Sequence, residues 1–300
     1  YFGDTRTLAE ISTILAEENA NIEMISNLTR HCAMCVELTI NVNKVKNLSQ
    51  LKSRVIAKSH ELNIDLALQK MEAYRKNKRL VFFDMDSTLV DMEIIDEMAQ
   101  RAGVFKEVSR ITEKAIRGDI DFEESLTQRV ALLKGLRVGE LEKIRNDMKL
   151  SEGAEDLVNT LKKLGFRLGL VSGGFDYFSD FLREKLGLDF SYANQLEIKN
   201  GSLTGKVLGK IVDNTYKAKI VNMVSEEEGV LLDQTVAIGD GANDVLMLGQ
   251  AGLGIAYNAK EKLERAANMS LGRARLRNIL YILGISEEEM GSWNACDRPV

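Results

Sequence analysis

The spacing of apolar residues divides the chain into two parts. In the first part, residues 8–19 and 48–62 carry apolar positions at helical spacing, whereas residues 22–28 and 36–42 are β-prone. Residues 65–69 are short and apolar enough for a closing strand. The predicted order of helix, strand, strand, helix and strand is that of a split βαβ sandwich that lacks its first strand.

The pattern changes near residue 76 to short apolar strands separated by long helices. These strands are predicted at residues 80–83, 166–171, 235–238 and 252–257. Continuous apolar strands that alternate with helices indicate a parallel sheet covered on both faces. We therefore predict two domains, a small α+β domain over residues 1–75 and an α/β domain over residues 76–300.

A long helical stretch separates the first two of these strands. Residues 91–150 have helical periodicity, although residues 152–164, which end at Gly165, are sufficient to cross back to the sheet. The residues beyond those needed for the crossing are therefore predicted to form an inserted helical unit. Because it begins just after the C-terminal end of a strand, we predict a cap over the crevice where open α/β sheets bind ligands.

Composition and charge narrow the classes of function. The chain has 300 residues, of which 45% are hydrophobic, and 40 Lys and Arg against 45 Asp and Glu give a formal net charge of −5. No block of one sign marks a surface for nucleic acid or an anionic membrane, and no apolar run approaches the roughly 18 residues that span a bilayer. We expect a cytoplasmic protein that acts on a small molecule, with neither nucleic acid nor membrane as a partner.

Cysteine and histidine usage restricts the chemistry further. Cys32 and Cys35 have a C-x-x-C spacing beside His31, and Cys296 lies near the tail. A zinc site would need a second cysteine pair or histidines at ligand spacing, so ordinary strand or turn residues are favoured over a metal or redox site. The large predicted domain contains no histidine, so its acids and bases must be carboxylates or lysines.

Reactive residues follow three of the predicted strands. The first strand ends at Asp84 and Asp86, whose carboxylates face the same way in extended backbone. The second ends at Ser172 and two glycines, which offer a hydroxyl and N–H groups to an anion. The third leads to Asp240 and Asp244 in a turn that opens a helix. Such residues cap turns when they occur singly, but three motifs on successive strand ends favour a functional site.

Four converging carboxylates would repel one another, so a cation has to lie among them. Oxygen ligands on a flexible loop suit a hard ion. The shortage of further protein ligands favours Mg²⁺, which keeps waters and takes its remaining ligands from a substrate phosphate. The residues therefore predict a magnesium site for phosphate chemistry.

The same motifs resemble those of a known family. Residues 84–90 (Asp-Met-Asp-Ser-Thr-Leu-Val) are similar to the D-x-D-x-T nucleophile motif of the haloacid-dehalogenase superfamily. Ser172 and Lys217 match its second motif and its lysine motif, and residues 239–244 (Gly-Asp-Gly-Ala-Asn-Asp) match its acidic motif. The likeness covers residues 80–285, and the longer forms of the first and last motifs resemble the phosphoserine phosphatases in particular.

The resemblance implies a fold and a reaction. The fold is a Rossmann-like parallel sheet of the haloacid-dehalogenase type, with a helical cap at about residues 91–150. The reaction is the magnesium-dependent hydrolysis of O-phosphoserine to serine and phosphate, the last step of serine biosynthesis. Two alternatives stay open: a phosphotransferase of the same fold that passes phosphate to an acceptor such as homoserine, and a catalytically idle amino-acid-binding regulatory protein.

Catalytic and metal-binding roles are also implied by the resemblance. Asp84 would attack phosphorus and form an aspartyl phosphate, and Asp86 would protonate the leaving alkoxide and then activate the water. The Mg²⁺ would be held by Asp84, the backbone carbonyl of Asp86 and the side chain of Asp240. Thr88 of the nucleophile motif would support the site.

Further matching positions would bind the phosphate. Ser172, the Gly173 N–H and Lys217 would bind its equatorial oxygens as charge spreads over them. Asp244 would orient Lys217, and Asn243 would reach the substrate. Without the resemblance, Lys217 would be interpreted as an ordinary solvated lysine.

Substrate choice is expected to come from the cap. Glu93 and Arg129 line up with the amino-acid-binding pair of the phosphoserine phosphatases, so Arg129 would grip the substrate carboxylate and Glu93 the ammonium. Phe122 would help to exclude water. The alternative is that these residues are surface charges on helices and an ordinary core phenylalanine.

The N-terminal part resembles the ACT domain, a small amino-acid-sensing fold often attached to enzymes of amino-acid metabolism. Gly3 and Asp4 could be what remains of its ligand loop, although residues 5–7 stand where a proline-glycine turn is common. The resemblance implies an amino-acid effector or a dimerising role, and hence a homodimer. Because the chain begins at Tyr1 inside a predicted element, we expect a natural N-terminal segment to be missing.

Overall fold

The computed structural model describes residues 5–29, 35–69, 71, 77–258, 269–271 and 275–290. The predictions on Gly3, Asp4, His31, Cys32 and Cys296 fall outside these residues. Cys35 is described, and burial raises the pKa of its thiol to about 11. A thiol with so high a pKa stays protonated at neutral pH and is a poor nucleophile.

The N-terminal module consists of four elements in the predicted order: α1 (Thr5–Glu17), β1 (Asn21–Asn27), β2 (Val36–Asn41) and α2 (Leu48–Leu62). The two strands pair in antiparallel fashion. Apolar residues of both helices form a small core against one face of this pair. The amphipathic pattern of the helices therefore predicted their buried faces correctly.

The closing strand predicted at residues 65–69 is wrong. These residues form no ladder with any strand in the described part of the chain. Leu66 and Leu68 nevertheless pack, partly buried, against the core of the module. The apolar residues that suggested a strand are therefore explained by their packing, which does not require a hydrogen-bonded neighbour.

A second, seven-stranded sheet has the strand order β6-β5-β4-β3-β7-β8-β9. Its strands are β3 (Leu80–Phe83), β4 (Arg167–Phe175), β5 (Phe190–Lys199), β6 (Ser202–Leu208), β7 (Thr235–Gly239), β8 (Leu253–Tyr257) and β9 (Met269–Leu271). All pairings are parallel except that of β5 with β6. The predicted parallel α/β sheet is confirmed, and β3 lies at its centre.

Burial on both sides of β3 explains its continuous apolar sequence. Leu80 and Phe82 belong to the apolar core on one face of the sheet, whereas Val81 and Phe83 belong to the core on the other. All four side chains are fully buried. Such a strand cannot show the polar alternation of a half-exposed one, because neither face meets water.

The remaining helices all come after β3 in the chain. Four of them, α3 (Ile94–Ala102), α4 (Phe105–Arg117), α5 (Phe122–Leu132) and α6 (Val138–Asp147), follow β3 in the stretch where an inserted helical unit was predicted. The others are α7 (Ala154–Lys163), α8 (Asp176–Leu186), α9 (Asn214–Glu227), α10 (Val245–Gln250) and α11 (Ile279–Ile282). Helices α3–α6 are called the cap below.

The cap is attached to the sheet at two places. At its base, the chain segments that lead in and out are hydrogen-bonded to each other, with the Asp91 N–H donating to the Lys149 carbonyl at 3.0 Å. At its far end, the Gly135 N–H donates to the Leu203 carbonyl of β6 at 2.9 Å. The Val138 N–H donates to the Gly201 carbonyl at 2.9 Å. The cap is thereby held over the C-terminal ends of the central strands.

Candidate active site

Parallel pairing of β3 with β7 brings two predicted carboxylates together. Phe83 lies opposite Ile238 in the register, and the Asp84 N–H donates to the Ile238 carbonyl at 2.9 Å. Asp84 and Asp240 therefore leave the sheet side by side. Oxygen atoms of Asp84, Asp240 and Asp244 all lie within 4.8 Å of one another. The predicted convergence of carboxylates at this edge is confirmed for these three residues.

Lys217 supplies a positive charge inside this cluster. It lies on the first turns of α9 and is fully buried, and its Nζ is 2.7 Å from Asp84 Oδ1 and 2.7 Å from Asp244 Oδ1. Burial alone would lower the pKa of Lys217, but the attraction of the two carboxylates outweighs it and the net shift is upward. Lys217 is therefore a charged residue of the site and not a solvated surface lysine.

One lysine does not balance the acidic residues around it. Burial raises the pKa of Asp240 to about 8, with further contributions from the neighbouring carboxylates. Burial, followed by repulsion from Asp84, raises the pKa of Asp244 to about 6. Carboxylates that resist ionisation to this degree mark a place where a further cation would be stabilised. The donor set of Asp84 and Asp240 consists of oxygen atoms only, which fits a hard divalent metal ion.

Asp86 lies beside this cluster at the start of the cap. Its Oδ1 accepts a hydrogen bond of 3.3 Å from the Ile94 N–H, the first amide of α3. Burial raises the pKa of Asp86 well above its ordinary value, and repulsion from Glu93 and Asp84 adds to the shift. A carboxyl group in this environment holds its proton more firmly than an ordinary aspartic acid, which suits a general acid.

The C-terminal end of β4 faces Asp86. Ser172 is buried, and its Oγ accepts a hydrogen bond of 2.9 Å from the Gly174 N–H. A Cβ atom placed on Gly174 would lie 2.8 Å from Asp86 Oδ2, and one placed on Gly173 would lie 2.9 Å from Phe122 Cζ. Gly173 and Gly174 therefore allow the Asp86 carboxylate and the first residue of α5 to approach the backbone closely.

Glu93 lies directly before α3, and Arg129 lies on α5 of the cap. Ser87, whose backbone has a left-handed φ of 54°, donates a hydrogen bond of 2.8 Å from Oγ to Glu93 Oε1. Arg129 Nε donates to the Ser125 carbonyl at 3.3 Å, and Arg129 is half-buried. The terminal nitrogens of Arg129 make no hydrogen bond or ion pair with any residue that the structure describes.

Electrostatic coupling places the cap charges close to the catalytic edge. Burial lowers the pKa of Arg129, and the carboxylates of Asp96, Glu93 and Asp86 oppose that shift. Glu93 in turn contributes to the raised pKa values of Asp86 and Asp240. The anion and the forked cation that the sequence predicted thus interact electrostatically with carboxylates of the site.

The two remaining predicted residues lie at the edge of the site. Thr88 is fully buried, and its Oγ1 has no hydrogen-bond partner among the described residues. Asn243 lies half-exposed in the short helical turn Ala242–Asp244, with its side chain against Gly241. Both residues follow the C-terminal ends of central strands, as their motifs required.

Sequence reasoning missed two residues that touch the predicted site. Ser87 was quoted only as part of the nucleophile motif, since its left-handed backbone has no signal in the sequence. Asn194 is fully buried on β5, where its side chain bonds the Gly173 carbonyl and the Val212 N–H at 2.8 Å each. It was missed because β5 itself was not predicted.

Comparison with known proteins agrees with this geometry. A model of haloacid dehalogenase-like hydrolases matches residues 78–252, and a model of the ACT domain matches residues 4–69. The phosphoserine phosphatase of Archaeoglobus fulgidus is 46% identical over 253 residues, which are 84% of this chain and 73% of that protein. The chain belongs to the phosphoserine phosphatase family of haloacid dehalogenase-like hydrolases.

Two solved structures of the phosphoserine phosphatase family share this fold. One is a phospho-aspartyl intermediate analogue of phosphoserine phosphatase, and the other is a substrate-bound phosphoserine phosphatase complex. Each is 45% identical to this chain, with a TM-score of 0.65. The matched region makes up 68% of this chain in both cases, and 98% and 97% of the two solved chains, respectively. The predicted family and the ACT domain are confirmed. None of the helices in the described ranges is both long and apolar enough to cross a membrane.

Proposed function

We propose that this chain hydrolyses O-phosphoserine to serine and inorganic phosphate through a phosphoenzyme on Asp84. The observation that carries the proposal is the position of Asp84, which is buried at the centre of the sheet edge with Lys217 on one side and Asp240 on the other. The phosphoserine phosphatase of Archaeoglobus fulgidus, a close match over most of this chain, supports the choice of substrate.

The reaction divides into two displacements at phosphorus. In the first, the carboxylate oxygen of Asp84 that Lys217 does not hold attacks phosphorus, the bond to the serine oxygen breaks, and Asp86 gives that oxygen its proton. In the second, Asp86 takes a proton from water, the water oxygen attacks phosphorus, and phosphate leaves Asp84. The raised pKa of Asp86 supports this double role, because a carboxyl group that holds its proton more firmly than usual can deliver it to the leaving oxygen, and the carboxylate left behind can accept a proton in the second step.

We propose Mg²⁺ as the cation of this site. Asp84, the backbone carbonyl of Asp86 and the side chain of Asp240 would hold it, which leaves Asp244 to Lys217 and to the Gly241 N–H, 3.1 Å from Asp244 Oδ2. When bound, the ion supplies positive charge that offsets the repulsion between the phosphate and the carboxylates. The raised pKa of Asp240 supports its assignment as a ligand, because a divalent ion relieves the repulsion that raises it.

Asp240→Asn is expected to raise the Mg²⁺ concentration that gives half-maximal activity by about 10- to 100-fold, because an amide is a weaker ligand for a hard ion. The measurement is phosphate release as a function of Mg²⁺. Asp233→Asn is the matched control, since Asp233 is exposed just before the opposite end of β7. An unchanged Mg²⁺ requirement in Asp240→Asn would remove Asp240 from the ligand set.

The phosphate group would lie against the C-terminal end of β4 and the start of α9. Ser172 Oγ, the Gly173 N–H and the ammonium of Lys217 would bind its equatorial oxygens, where negative charge is greatest in the transition state. Asp244 would hold Lys217 in place through the bond of 2.7 Å. Thr88 would support the nucleophile strand and Asn243 would contact the substrate from the rim.

Gly174→Ala is expected to lower kcat by about 10- to 100-fold, because the added methyl group would push the Asp86 carboxylate away from the leaving oxygen. KM should change as well, because the same Cβ would lie 3.1 Å from Ser172 Oγ, a proposed phosphate ligand. Gly139→Ala is the matched control, because Gly139 in α6 has no atom within 4 Å of an added Cβ. The measurement is kcat and KM from steady-state kinetics on phosphoserine. An unaltered kcat in Gly174→Ala would contradict the assigned position of Asp86.

Recognition of the amino acid is assigned to the cap. Arg129 would bind the substrate carboxylate with both terminal nitrogens, which are free of described partners, and Glu93 would bind the ammonium. Phe122 rests on Gly173 and would exclude water from the phosphate. The charged pair would thus select phosphoserine from other phosphate monoesters.

A phosphate-release screen with Mg²⁺ tests the proposed function. Phosphoserine should be the best substrate among phosphoserine, phosphothreonine, phosphotyrosine and sugar phosphates. An accompanying assay with homoserine distinguishes hydrolysis from phosphotransfer, since a transferase would form phosphohomoserine in place of inorganic phosphate. Preference for another monoester, or release of phosphate only in the presence of the acceptor, would overturn the proposal.

We propose a regulatory or dimerising role for the ACT domain as well. An amino-acid effector is the ligand class that the domain implies, and β1 supports pairing between two chains because Met24 is 57% and Ile25 is 55% exposed on this strand. The chain would then be a homodimer. Light scattering with and without serine tests both parts, since a mass of one chain under all conditions would contradict the dimer.

A further inference from the structure

Asn194 connects two segments of the proposed phosphate site. Its side chain is fully buried on β5, which pairs with β4, the neighbour of the nucleophile strand β3. Nδ2 donates to the Gly173 carbonyl at 2.8 Å, and Oδ1 accepts from the Val212 N–H at 2.8 Å. Only one orientation of the amide satisfies both partners, because a flipped amide would set oxygen against oxygen and N–H against N–H.

Each partner belongs to a segment that presents a phosphate ligand. Gly173 follows Ser172 at the C-terminal end of β4, and its N–H is a proposed phosphate ligand. Val212 precedes Asp213, the N-cap of α9, whose carboxylate accepts from the Tyr216 N–H at 2.7 Å. The Lys217 N–H donates to the Asp213 carbonyl at 2.9 Å. Asn194 therefore joins the C-terminal end of β4 to the start of α9, which carries Lys217.

We infer that Asn194 is a positioning residue that fixes the distance between the Gly173 N–H and the Lys217 ammonium. This inference rests on the proposed function, in which those two groups bind the same phosphate. Asn194 itself would not touch the phosphate and acts through the backbone of Gly173 and of Val212. Catalysis by preorganised donors is sensitive to such positioning, because donors that must move to reach the transition state stabilise it less.

The hydrogen bonds of Asn194 indicate that it does more than pack in the core. A buried amide costs free energy unless all of its groups are paired, and an apolar residue would fill the same space without that cost. The hydrogen bonds of Asn194 run to the Gly173 carbonyl at the C-terminal end of β4 and to the Val212 N–H in the segment before α9, so the side chain bridges two different parts of the proposed phosphate site. A nearby pair on the same strand offers a contrast, because Ser191 Oγ donates to Ser179 Oγ of α8 at 2.8 Å.

The decisive variant is Asn194→Asp, with Ser191→Ala as the control. Aspartate has nearly the shape of asparagine and can still accept from the Val212 N–H, but its second oxygen would repel the Gly173 carbonyl. We expect kcat/KM to fall by about 10- to 100-fold on both phosphoserine and p-nitrophenyl phosphate, by the same factor, because both use the phosphate ligands. The inhibition constant of inorganic phosphate should rise in parallel. Ser191→Ala should lower only the melting temperature.

Asn194→Ser provides a second measurement, which is needed if the aspartate variant does not fold. Serine keeps a donor and an acceptor in less volume, so the expected loss of kcat/KM is again equal on both substrates. Unchanged kcat/KM and phosphate inhibition in a folded Asn194 variant would overturn the inference. A loss confined to phosphoserine would also overturn it, because the phosphate ligands would then be undisturbed. Wild-type protein that binds phosphate but does not hydrolyse phosphoserine would refute the proposed function separately.

Discussion

Asp84→Asn is expected to abolish hydrolysis of phosphoserine, by at least about a thousandfold in kcat, without loss of the fold. An amide oxygen can still accept the hydrogen bond that Lys217 makes to Asp84 Oδ1 at 2.7 Å, so the site keeps its shape. The amide cannot form an acyl phosphate that water would release. The measurement is phosphate release in the presence of Mg²⁺, together with detection of the phosphoenzyme in the wild-type protein.

Stability should be retained in the same variant, and this separates loss of chemistry from loss of structure. Asp84 is among the causes of the raised pKa values of Asp240 and Asp244, so a neutral side chain at this position relieves repulsion within the cluster. Lys217 keeps Asp244 as a partner. The melting temperature of Asp84→Asn should therefore equal or exceed that of the wild type.

Asp189→Asn is a suitable control for this experiment. Asp189 accepts a hydrogen bond of 2.7 Å from the Leu168 N–H and pairs with Arg167 at the opposite end of the sheet. Its replacement should lower the melting temperature and leave kcat unchanged. Retention of even about a tenth of the wild-type kcat in Asp84→Asn would rule out the covalent mechanism.

The sequence predicted the central strands because burial on both faces leaves a clear pattern. β3 is apolar at every position, and β7 and β8 are buried throughout. Strands β5 and β6 were missed because only a few of their positions are buried and these are interspersed with partly buried and exposed ones, so neither strand has a continuous apolar run. Polar residues at buried positions, such as Asn194 on β5, break the pattern further, since their partners are distant in sequence.

Convergence of the carboxylates could be predicted because strand ends of a parallel sheet share one edge. Asp84, Asp240 and Asp244 follow β3 and β7, which are neighbours in the sheet. Lys217 could not be found by this reasoning, since it comes from a helix and is separated from Asp84 by 133 positions in the chain. Its role depended on resemblance alone, and its burial between two carboxylates is information that only the fold supplies.

Arg129→Ala is expected to lower kcat/KM for phosphoserine by between about thirty-fold and several thousand-fold. The range corresponds to roughly 2–5 kcal/mol, the cost of truncating one partner of a buried charge pair. The structure supports a large effect because Arg129 is half-buried, is anchored through Nε to the Ser125 carbonyl, and has terminal nitrogens without a described partner. A preorganised cation of this kind loses little entropy when it binds a carboxylate.

A substrate with neither carboxylate nor ammonium distinguishes recognition from general damage. p-Nitrophenyl phosphate should lose far less activity with Arg129→Ala, because the nucleophile, Lys217 and the metal ligands are untouched. Arg101→Ala is the matched control on the cap, since Arg101 of α3 pairs with Glu140 and Asp147 away from the site. It removes an arginine from the cap at a cost in stability, but both substrates should be hydrolysed as before.

Glu93→Ala should show a weaker selectivity than Arg129→Ala, and the reason lies in the electrostatics of the site. Loss of Glu93 removes the proposed partner of the substrate ammonium, but it also removes a charge that raises the pKa of Asp86 and Asp240. Asp86 would then hold its proton less firmly, so hydrolysis of p-nitrophenyl phosphate should change as well. The kcat/KM ratio of the two substrates should therefore fall most in Arg129→Ala and less in Glu93→Ala. Equal losses on both substrates in Arg129→Ala would mean that Arg129 only supports the cap, and the selection of phosphoserine would then need another cation.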